Sequence, residues 1–237
     1  MDRPACISRQ QSFIHELKYA GLSCKDKITQ IQEATRRNSC TGILISALDE
    51  VAWTLNLRGS DVHCNPVFVS YLLITEYSST LYIIENKLSD EVKDYLAENG
   101  VTVKPYSTIE KDLKDFTGKL LLSASINAAI HAAACTHSLI EIAPSPVLFL
   151  KAVKNETEIE GFHRAMKRDG IAMVKFLRWL KTAVSTGNET EISIDKKLYE
   201  FRAGQDYFNG ISFDTIAGYK DHGAIVHYEA SPKPISP

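Results

Sequence analysis

The sequence predicts an α/β fold in two parts, and three observations support this prediction. Short apolar runs rich in β-branched residues alternate with helical segments from Lys25 to about residue 145. Pro144 and Pro146 then interrupt the alternation. A long segment with apolar residues at helical spacing follows. We therefore expect a lead-in segment at 1–24, an α/β domain with a mostly parallel or mixed sheet at 25–146, and a second domain from 147 to 237.

The first predicted domain is read element by element from its periodicity and its turn residues. Helices are expected in KDKITQIQEATRRNS, in LDEVAWTLNLRG as far as Gly59, and in SDEVKDYLAENG, which has a serine cap and a terminal glycine. The run Gly42–Ala47 predicts a buried strand, and residues 67–75 and 80–85 predict a hairpin. The remaining segments alternate as strand and helix, in the order VTVKPY, IEKDLKDF, KLLLSAS, NAAIHAAAC and LIEIA.

The second predicted domain begins with a long amphipathic helix. Asn155 and Glu158 have capping-box spacing, and Gly187 ends the apolar periodicity. A second helix is expected at about 193–203. The segment SFDTIAGYKDHGAIVHY then predicts a strand, a loop and a short strand that ends at His227.

Bulk composition excludes several classes of protein. The 237 residues are 44% hydrophobic and 24% charged, with a formal net charge of −2 and no strongly basic block, so no nucleic-acid partner is expected. Apolar runs stay below the ~18–20 residues that span a bilayer, and no secretory signal is visible. The five cysteines lack Cys-x-x-Cys spacing, which indicates free thiols in a reducing, cytoplasmic environment.

Single polar side chains in apolar patterns favour structural roles. Asp169 interrupts the apolar stripe of the long helix and is expected to pair with an arginine or a helix N-terminus rather than to act as a catalytic acid. His131 and His137 flank Cys135 without the spacing of metal ligands. Arg58 and Asp61 could bind a ligand, although a pair within a turn is favoured.

His227 is the candidate with the clearest functional alternative. A histidine at the end of a strand is suited to line a cleft and to donate a hydrogen bond to developing charge. From the pattern alone, a functional and a structural role are equally supported. The residues by themselves indicate no reaction, because no catalytic triad, phosphate-binding loop or dinucleotide fingerprint is present.

Three stretches together resemble one known family. SALDEVAWTLNLRGSDVHCNPVFVSYLLI is similar to the middle domain of three-domain Xaa-Pro aminopeptidases (aminopeptidase P). KAVKNETEIEGFHRAMKRDGIAMVKFLRWL and FDTIAGYKDHGAIVHY are similar to the beginning of that family's catalytic domain. The stretches keep the family's order and spacing, over about residues 2–230.

The resemblance implies a fold, an activity and a site. Residues 1–24 would be the remnant connector of a first domain, 25–146 a creatinase-like domain, and 147–237 the incomplete first portion of a pita-bread catalytic domain. The family is cytoplasmic, hydrolyses the N-terminal Xaa-Pro bond of peptides, and uses two divalent metal ions, usually manganese, to activate a water molecule. His227 matches the family histidine that lines the substrate cleft, whereas Asp169 matches no metal ligand.

The sequence also departs from the family pattern. The family's metal ligands, two Asp, one His and two Glu, lie downstream of the His-Tyr pair, and the nine residues after Tyr228 do not supply them. We therefore expect no catalytic residue, no metal ligand and no bound metal in this chain, which would be inactive alone. Family members are often dimeric, and we expect an exposed apolar face after residue 150 to promote self-association. The alternatives are a non-catalytic peptide- or protein-binding module and a fragment of a prolidase-like hydrolase.

Overall fold

The structure of the protein is a computed structural model that describes residues 10–232. The first nine residues of the predicted connector, with Cys6, and the end of the proline-rich tail at 233–237 lie outside the described residues. The chain divides into two compact units, residues 1–158 and 159–237, here called unit 1 and unit 2. The predicted domain boundary at 146/147 stays a prediction.

Unit 1 is built on a six-stranded mixed sheet, as the alternation of strands and helices predicted. The strand order is β6-β5-β4-β2-β7-β8, and β4 runs antiparallel to both of its neighbours while the other adjacent pairs are parallel. The strands are β2 (Gly42–Ile45), β4 (Ser70–Thr75), β5 (Ser79–Ile83), β6 (Val101–Pro105), β7 (Gly118–Leu122) and β8 (Ser138–Ile142), and β1 (Phe13–Ile14) pairs separately with β3 (Leu57–Arg58).

Helices cover both faces of this sheet. They are α1 (Leu17–Ala20), α2 (Cys24–Arg37), α3 (Leu48–Leu55), α4 (Asp90–Glu98), α5 (Ile109–Asp115), α6 (Ala128–Ala134) and α7 (Pro146–Ala152). Successive side chains of a strand point to opposite faces, so Ile43 and Ile45 of β2 lie in one apolar core while Leu44 lies in the other. Helices α2, α3, α4 and α7 contribute to the first core, and α5 and α6 contribute to the second.

Two helix ends in unit 1 show how local sequence sets the boundaries. Ser89 caps α4 as predicted, since its hydroxyl accepts a hydrogen bond from Val92 N at 3.3 Å. The expectation that the helix in LDEVAWTLNLRG runs to Gly59 is wrong. Asn56 adopts a left-handed conformation with φ 50°, which ends α3 at Leu55 and lets the next residues pair as β3.

The second part of the chain is helical in the described residues. Helix α8 (Glu156–Ala183) begins with the predicted capping box, in which Asn155 N donates to Glu158 and Glu158 N donates to the Asn155 side chain, both at 2.9 Å. Gly187, with φ 73°, follows the last turn. Helix α9 (Glu191–Ala203) is capped by Thr190.

The two strands predicted within 212–228 are wrong. The structure describes irregular backbone there, with one 3₁₀ turn at Lys220–Ala224. A strand needs a neighbour for its backbone N–H and C=O groups, and residues 159–232 contain none. The apolar alternation in this segment is therefore not enough to form a sheet.

Candidate functional site

His227 lies in the irregular segment rather than at the end of a strand. Its side chain is exposed, and its backbone has φ 55°, in the left-handed region that is uncommon for residues other than glycine. Its neighbours differ sharply, because Val226 is 82% exposed and Tyr228 is 6% exposed. The proposed role of His227 in substrate contact stays a prediction.

Tyr228 belongs to a polar cluster centred on Glu191, in the first turn of α9. The Tyr228 hydroxyl donates to Glu191 Oε2 at 2.6 Å, and the Tyr219 backbone N–H donates to Oε1 at 2.6 Å. His222 Nδ1 lies 3.0 Å from Oε1, and its ring is 4.7 Å from the Tyr228 ring between centroids. One carboxylate therefore ties the segment 219–228 to α9.

Glu191 and Tyr228 keep fixed protonation states near neutral pH. The hydrogen bond from Tyr228, followed by that from the Tyr219 N–H, lowers the pKa of Glu191. The same bond raises the pKa of Tyr228 to about 12. The carboxylate thus remains an acceptor and the phenol a donor, which suits anchoring better than proton transfer. No sequence spacing revealed this cluster, because Glu191 lies about thirty positions before its partners.

Asp169 has the structural partner that its position on the apolar stripe predicted. Arg202 Nε donates to Asp169 Oδ1 at 2.7 Å, and Nη2 lies 3.4 Å from Oδ2. The pair lines a cavity of about 310 Å³ in unit 2, together with residues of the segment 205–212. Arg168 lies over the Tyr207 ring at 4.8 Å from the centroid. Both oxygens of Asp169 are thus engaged by a cation that belongs to the protein.

Arg58 and Asp61 do not form the favoured turn pair. Arg58 donates to the carbonyl oxygens of Ala52 and Leu57, at 3.1 and 2.9 Å. Asp61 instead forms a salt bridge with Lys87, and both side chains are almost completely buried. Asp61 also accepts a hydrogen bond from Val69 N at 2.7 Å. The long-range partner prevails because the buried Lys87 ammonium needs a counter-charge.

His131, Cys135 and His137 form no metal-like arrangement. Cys135 Sγ lies 3.7 Å from His131 Nδ1, one helical turn away, and the thiol is exposed. His137 Nδ1 lies 2.6 Å from the Lys114 carbonyl oxygen, to which it donates. These contacts agree with the structural interpretation of all three residues.

Sequence reasoning missed a buried ammonium group in unit 1. Lys27 on α2 is 1% exposed. Its Nζ donates to Trp53 O at 2.9 Å and to Asn56 Oδ1 at 2.6 Å, and it lies 4.1 Å from the centroid of the Trp53 ring. Burial lowers its pKa to about 8. The lysine holds the end of α3, where the carbonyl oxygens lack helical partners.

The structure gives no indication of a membrane-spanning helix: within residues 10–232, none is both long enough and apolar enough to cross a bilayer.

Comparison with protein families gives two consecutive matches. Residues 2–158 match the Creatinase/Prolidase N-terminal domain, and residues 160–237 match Metallopeptidase family M24. The first match alone covers more than half of the 237-residue chain.

Individual relatives agree with these matches. A protein of Sordaria macrospora named probable Xaa-Pro aminopeptidase P is 38% identical over 231 residues, and the match covers 92% of this chain and 38% of that protein. Xaa-Pro aminopeptidase 1 of Dictyostelium discoideum is 38% identical over 224 residues, covering 92% of this chain and 35% of that protein. The chain thus spans less than two fifths of the length of either relative.

Two solved structures extend the comparison. The crystal structure of X-prolyl aminopeptidase from Caenorhabditis elegans, described as a cytosolic enzyme with a di-nuclear active site, has a TM-score of 0.89 at 28% identity, covering 99% of this chain and 39% of that one. Xaa-Pro dipeptidase from Bacillus anthracis has a TM-score of 0.56 at 14% identity over 76% of this chain and 48% of that one, which shows the fold alone. The chain therefore belongs to the creatinase/prolidase family, and over most of its length it is similar to proteins named Xaa-Pro aminopeptidase P.

Proposed function

We propose that this chain is the creatinase-like part and the beginning of the catalytic part of a metallo-aminopeptidase that removes the N-terminal residue from peptides with proline in second position. The observation that supports this most is the succession of the two family matches over residues 2–158 and 160–237. The relatives' names supply the substrate class, since they are Xaa-Pro aminopeptidases.

Proline in second position explains why a specialised peptidase is needed. The scissile Xaa-Pro bond has no amide hydrogen, and the proline ring fixes φ near −65°. A general peptidase that binds an extended backbone through its N–H groups therefore fits this substrate poorly. Two divalent ions, which we propose to be manganese, would supply a metal-activated water and polarise the scissile carbonyl in the complete catalytic domain.

Two carboxylates of unit 2, Asp169 and Glu191, are already engaged by groups of the protein and do not offer free ligands to such ions. Asp169 is occupied by Arg202, and Glu191 by Tyr228 and the Tyr219 N–H. A cation at either of these two carboxylates would have to displace the Arg202 guanidinium or break the bonds that anchor the segment 219–228. We propose that this chain alone does not cleave Xaa-Pro bonds.

Incubation with manganese and an Arg-Pro-Pro peptide tests this part of the proposal. Release of the N-terminal arginine would be followed by chromatography, with a full-length Xaa-Pro aminopeptidase as the positive control. We expect no release by the 237-residue chain. Metal-dependent turnover by a single purified chain would overturn the proposed inactivity.

A chimera tests the activity proposed for the complete protein. The chain would be joined to the part of the Sordaria macrospora relative that follows the matched region. We expect manganese-dependent cleavage of Arg-Pro-Pro and little cleavage of Arg-Ala-Pro. A folded chimera that binds manganese and cleaves both peptides equally would contradict an Xaa-Pro aminopeptidase and favour a broader peptidase.

His227 is the residue that we propose to contact the substrate in that complete protein. A histidine that donates a hydrogen bond to developing charge contributes roughly 10²–10³-fold to kcat. We expect His227→Ala to lower kcat of the chimera by about this factor. His163→Ala, at an exposed histidine on α8, is the matched control and should leave kcat unchanged.

Self-association is the property that we propose for the chain as it stands, in the cytoplasm that the Caenorhabditis elegans neighbour's description suggests. Apolar side chains on α8 remain exposed, including Phe162 at 55%, Met166 at 63% and Val174 at 68%. Sedimentation of the chain would reveal oligomers, and Met166→Glu with Val174→Glu should shift them towards monomer. A monomer at all concentrations would contradict this proposal.

A further inference from the structure

Two neighbouring parallel strands of unit 1, β2 and β7, are followed by helices that pack on opposite faces of the sheet. β2 is followed by α3, whose Val51 and Leu55 lie in the first apolar core. β7 is followed by α6, whose Ile130 and Ala134 lie in the second. Divergence of the connections after adjacent strands opens a crevice at their carboxyl ends, and open α/β sheets bind ligands at such points.

A cavity of about 220 Å³ lies in this crevice. It lies among the strand ends and the two diverging connections, and its lining includes Ile45, Ser46, Glu50, Leu121, Ser123 and Ser145. The lining combines an apolar wall with serine hydroxyls, and it includes one charged side chain. Ligand pockets commonly show this pattern of apolar surface with a few convergent polar groups.

Glu50 is that charged side chain, and it is 6% exposed. Ser145 Oγ donates to Glu50 Oε2 at 2.6 Å. Within residues 10–232, the carboxylate has no other hydrogen-bond partner. Lys151, the nearby cation, forms its salt bridge with Asp49 instead. Among the described residues, the Glu50 carboxylate therefore has a neutral donor and no salt bridge with a cation.

A purely structural role for Glu50 would leave its carboxylate without a counter-charge. Glu50 lies in the first turn of α3, where an acidic residue is favoured by the helix dipole. Desolvation nevertheless prevails over the hydrogen bond from Ser145, and the pKa of Glu50 is raised. A cation that entered the cavity would supply the missing counter-charge.

We propose that this cavity binds a small protonated primary amine through Glu50. The ammonium group pairs with the carboxylate, serine hydroxyls accept its remaining hydrogens, and a short alkyl group packs against the apolar wall. The volume lies below the roughly 300–1,000 Å³ of pockets for drug-sized ligands, so the ligand is a short amine rather than a peptide. This inference does not depend on the proposed peptidase activity.

Titration of the 237-residue chain with n-propylamine at neutral pH tests the proposal. The neutral 1-propanol and the anionic propionate have the same carbon skeleton length and serve as comparators. Binding would be followed by NMR at the backbone amides of Ser46 and Ser123. We expect saturable shifts with the amine alone. Equal shifts with 1-propanol, or no saturable shift with any of the three, would overturn the proposal.

Two variants in the cavity and one control variant sharpen the result. Glu50→Gln preserves the shape and the bond with Ser145 but removes the charge, and should weaken amine binding at least tenfold. Glu91→Gln, at an exposed position on α4, is the matched control. Ser46→Leu fills the cavity and should abolish binding in a chain whose circular dichroism is unchanged. Undiminished binding by Glu50→Gln would show that the amine lies elsewhere.

Discussion

Unit 1 and unit 2 use apolar and charged residues in different ways. In unit 1, apolar side chains from both faces of a sheet are enclosed by helices, and even two lysines are buried with partners. In unit 2, the long helix α8 has the same kind of amphipathic periodicity, yet Phe162, Met166 and Val174 are more than half exposed. Periodicity thus identifies the apolar face of a helix but not what covers it.

The ion pairs of the two units also differ in burial, since the pair in unit 1 is buried and the pair in unit 2 is partly exposed. The side chains of Lys87 and Asp61 are 0% and 1% exposed, whereas those of Arg202 and Asp169 are 27% and 37% exposed. Water screens the attraction between Arg202 and Asp169. The attraction between Lys87 and Asp61 is not screened in this way, so it depends on how closely the two groups approach.

The largest expected effect is on the buried pair. Asp61→Asn removes the carboxylate that forms the salt bridge with the buried Lys87 ammonium and should lower the free energy of unfolding by about 3–5 kcal/mol. Asp169→Asn should lower it by about 0–1 kcal/mol, since Arg202 can reach solvent. Urea denaturation followed by circular dichroism measures both changes. Equal losses of unfolding free energy in the two variants would contradict the inferred difference between the buried and the exposed ion pair.

Core packing gives the next contrast. Leu72 on β4 is 0% exposed in the first core, so Leu72→Ala should cost about 2–5 kcal/mol of unfolding free energy. Leu177 on α8 is 49% exposed, and Leu177→Ala should change the free energy by less than about 0.5 kcal/mol. Denaturation of the two variants in parallel provides the measurement. A large loss for Leu177→Ala would reveal a covering surface on α8, for example in an oligomer.

A pH titration of stability examines the buried Lys27. Its pKa is about 8 in the folded chain against an ordinary value of 10.5. Between these values the unfolded chain binds more protons, so this lysine makes stability rise as the pH increases from about 8 to 10.5. Lys27→Met should flatten that part of the profile. An unchanged slope in a folded variant would contradict the buried ammonium.

The smallest expected effect is local to unit 2. Glu191→Gln weakens the bonds that tie 219–228 to α9, so hydrogen exchange of the Tyr219 amide should become faster. Global unfolding should change by about 1 kcal/mol or less. Asp195→Asn on the same helix is the matched control. Exchange mass spectrometry distinguishes the two, and identical exchange in both variants would argue against the anchoring role of Glu191.

The six strands of the sheet and most helices of unit 1 were predictable because each carries its own signal, whereas the short strands β1 and β3 were not predicted. Gly42–Ile45 is a β-branched run, Ser89 and Asn155 supply caps, and the alternation of strands and helices predicts the mixed sheet. The resemblance to the aminopeptidase P family followed from three stretches spread over both units, and the family matches and the named relatives confirm it. These features depend on near neighbours in the chain, which the sequence displays directly.

The tertiary structure decided what depends on distant partners. From the sequence, Asp169 was expected to pair with an arginine or a helix N-terminus, but only folding selected Arg202, 33 positions away. It likewise selected Lys87 rather than Arg58 for Asp61, and it left the segment before His227 without a strand. Local propensity and periodicity are short-range properties of the chain. Pairing of charges and of strands is settled by which groups the whole fold brings within a few ångströms of each other.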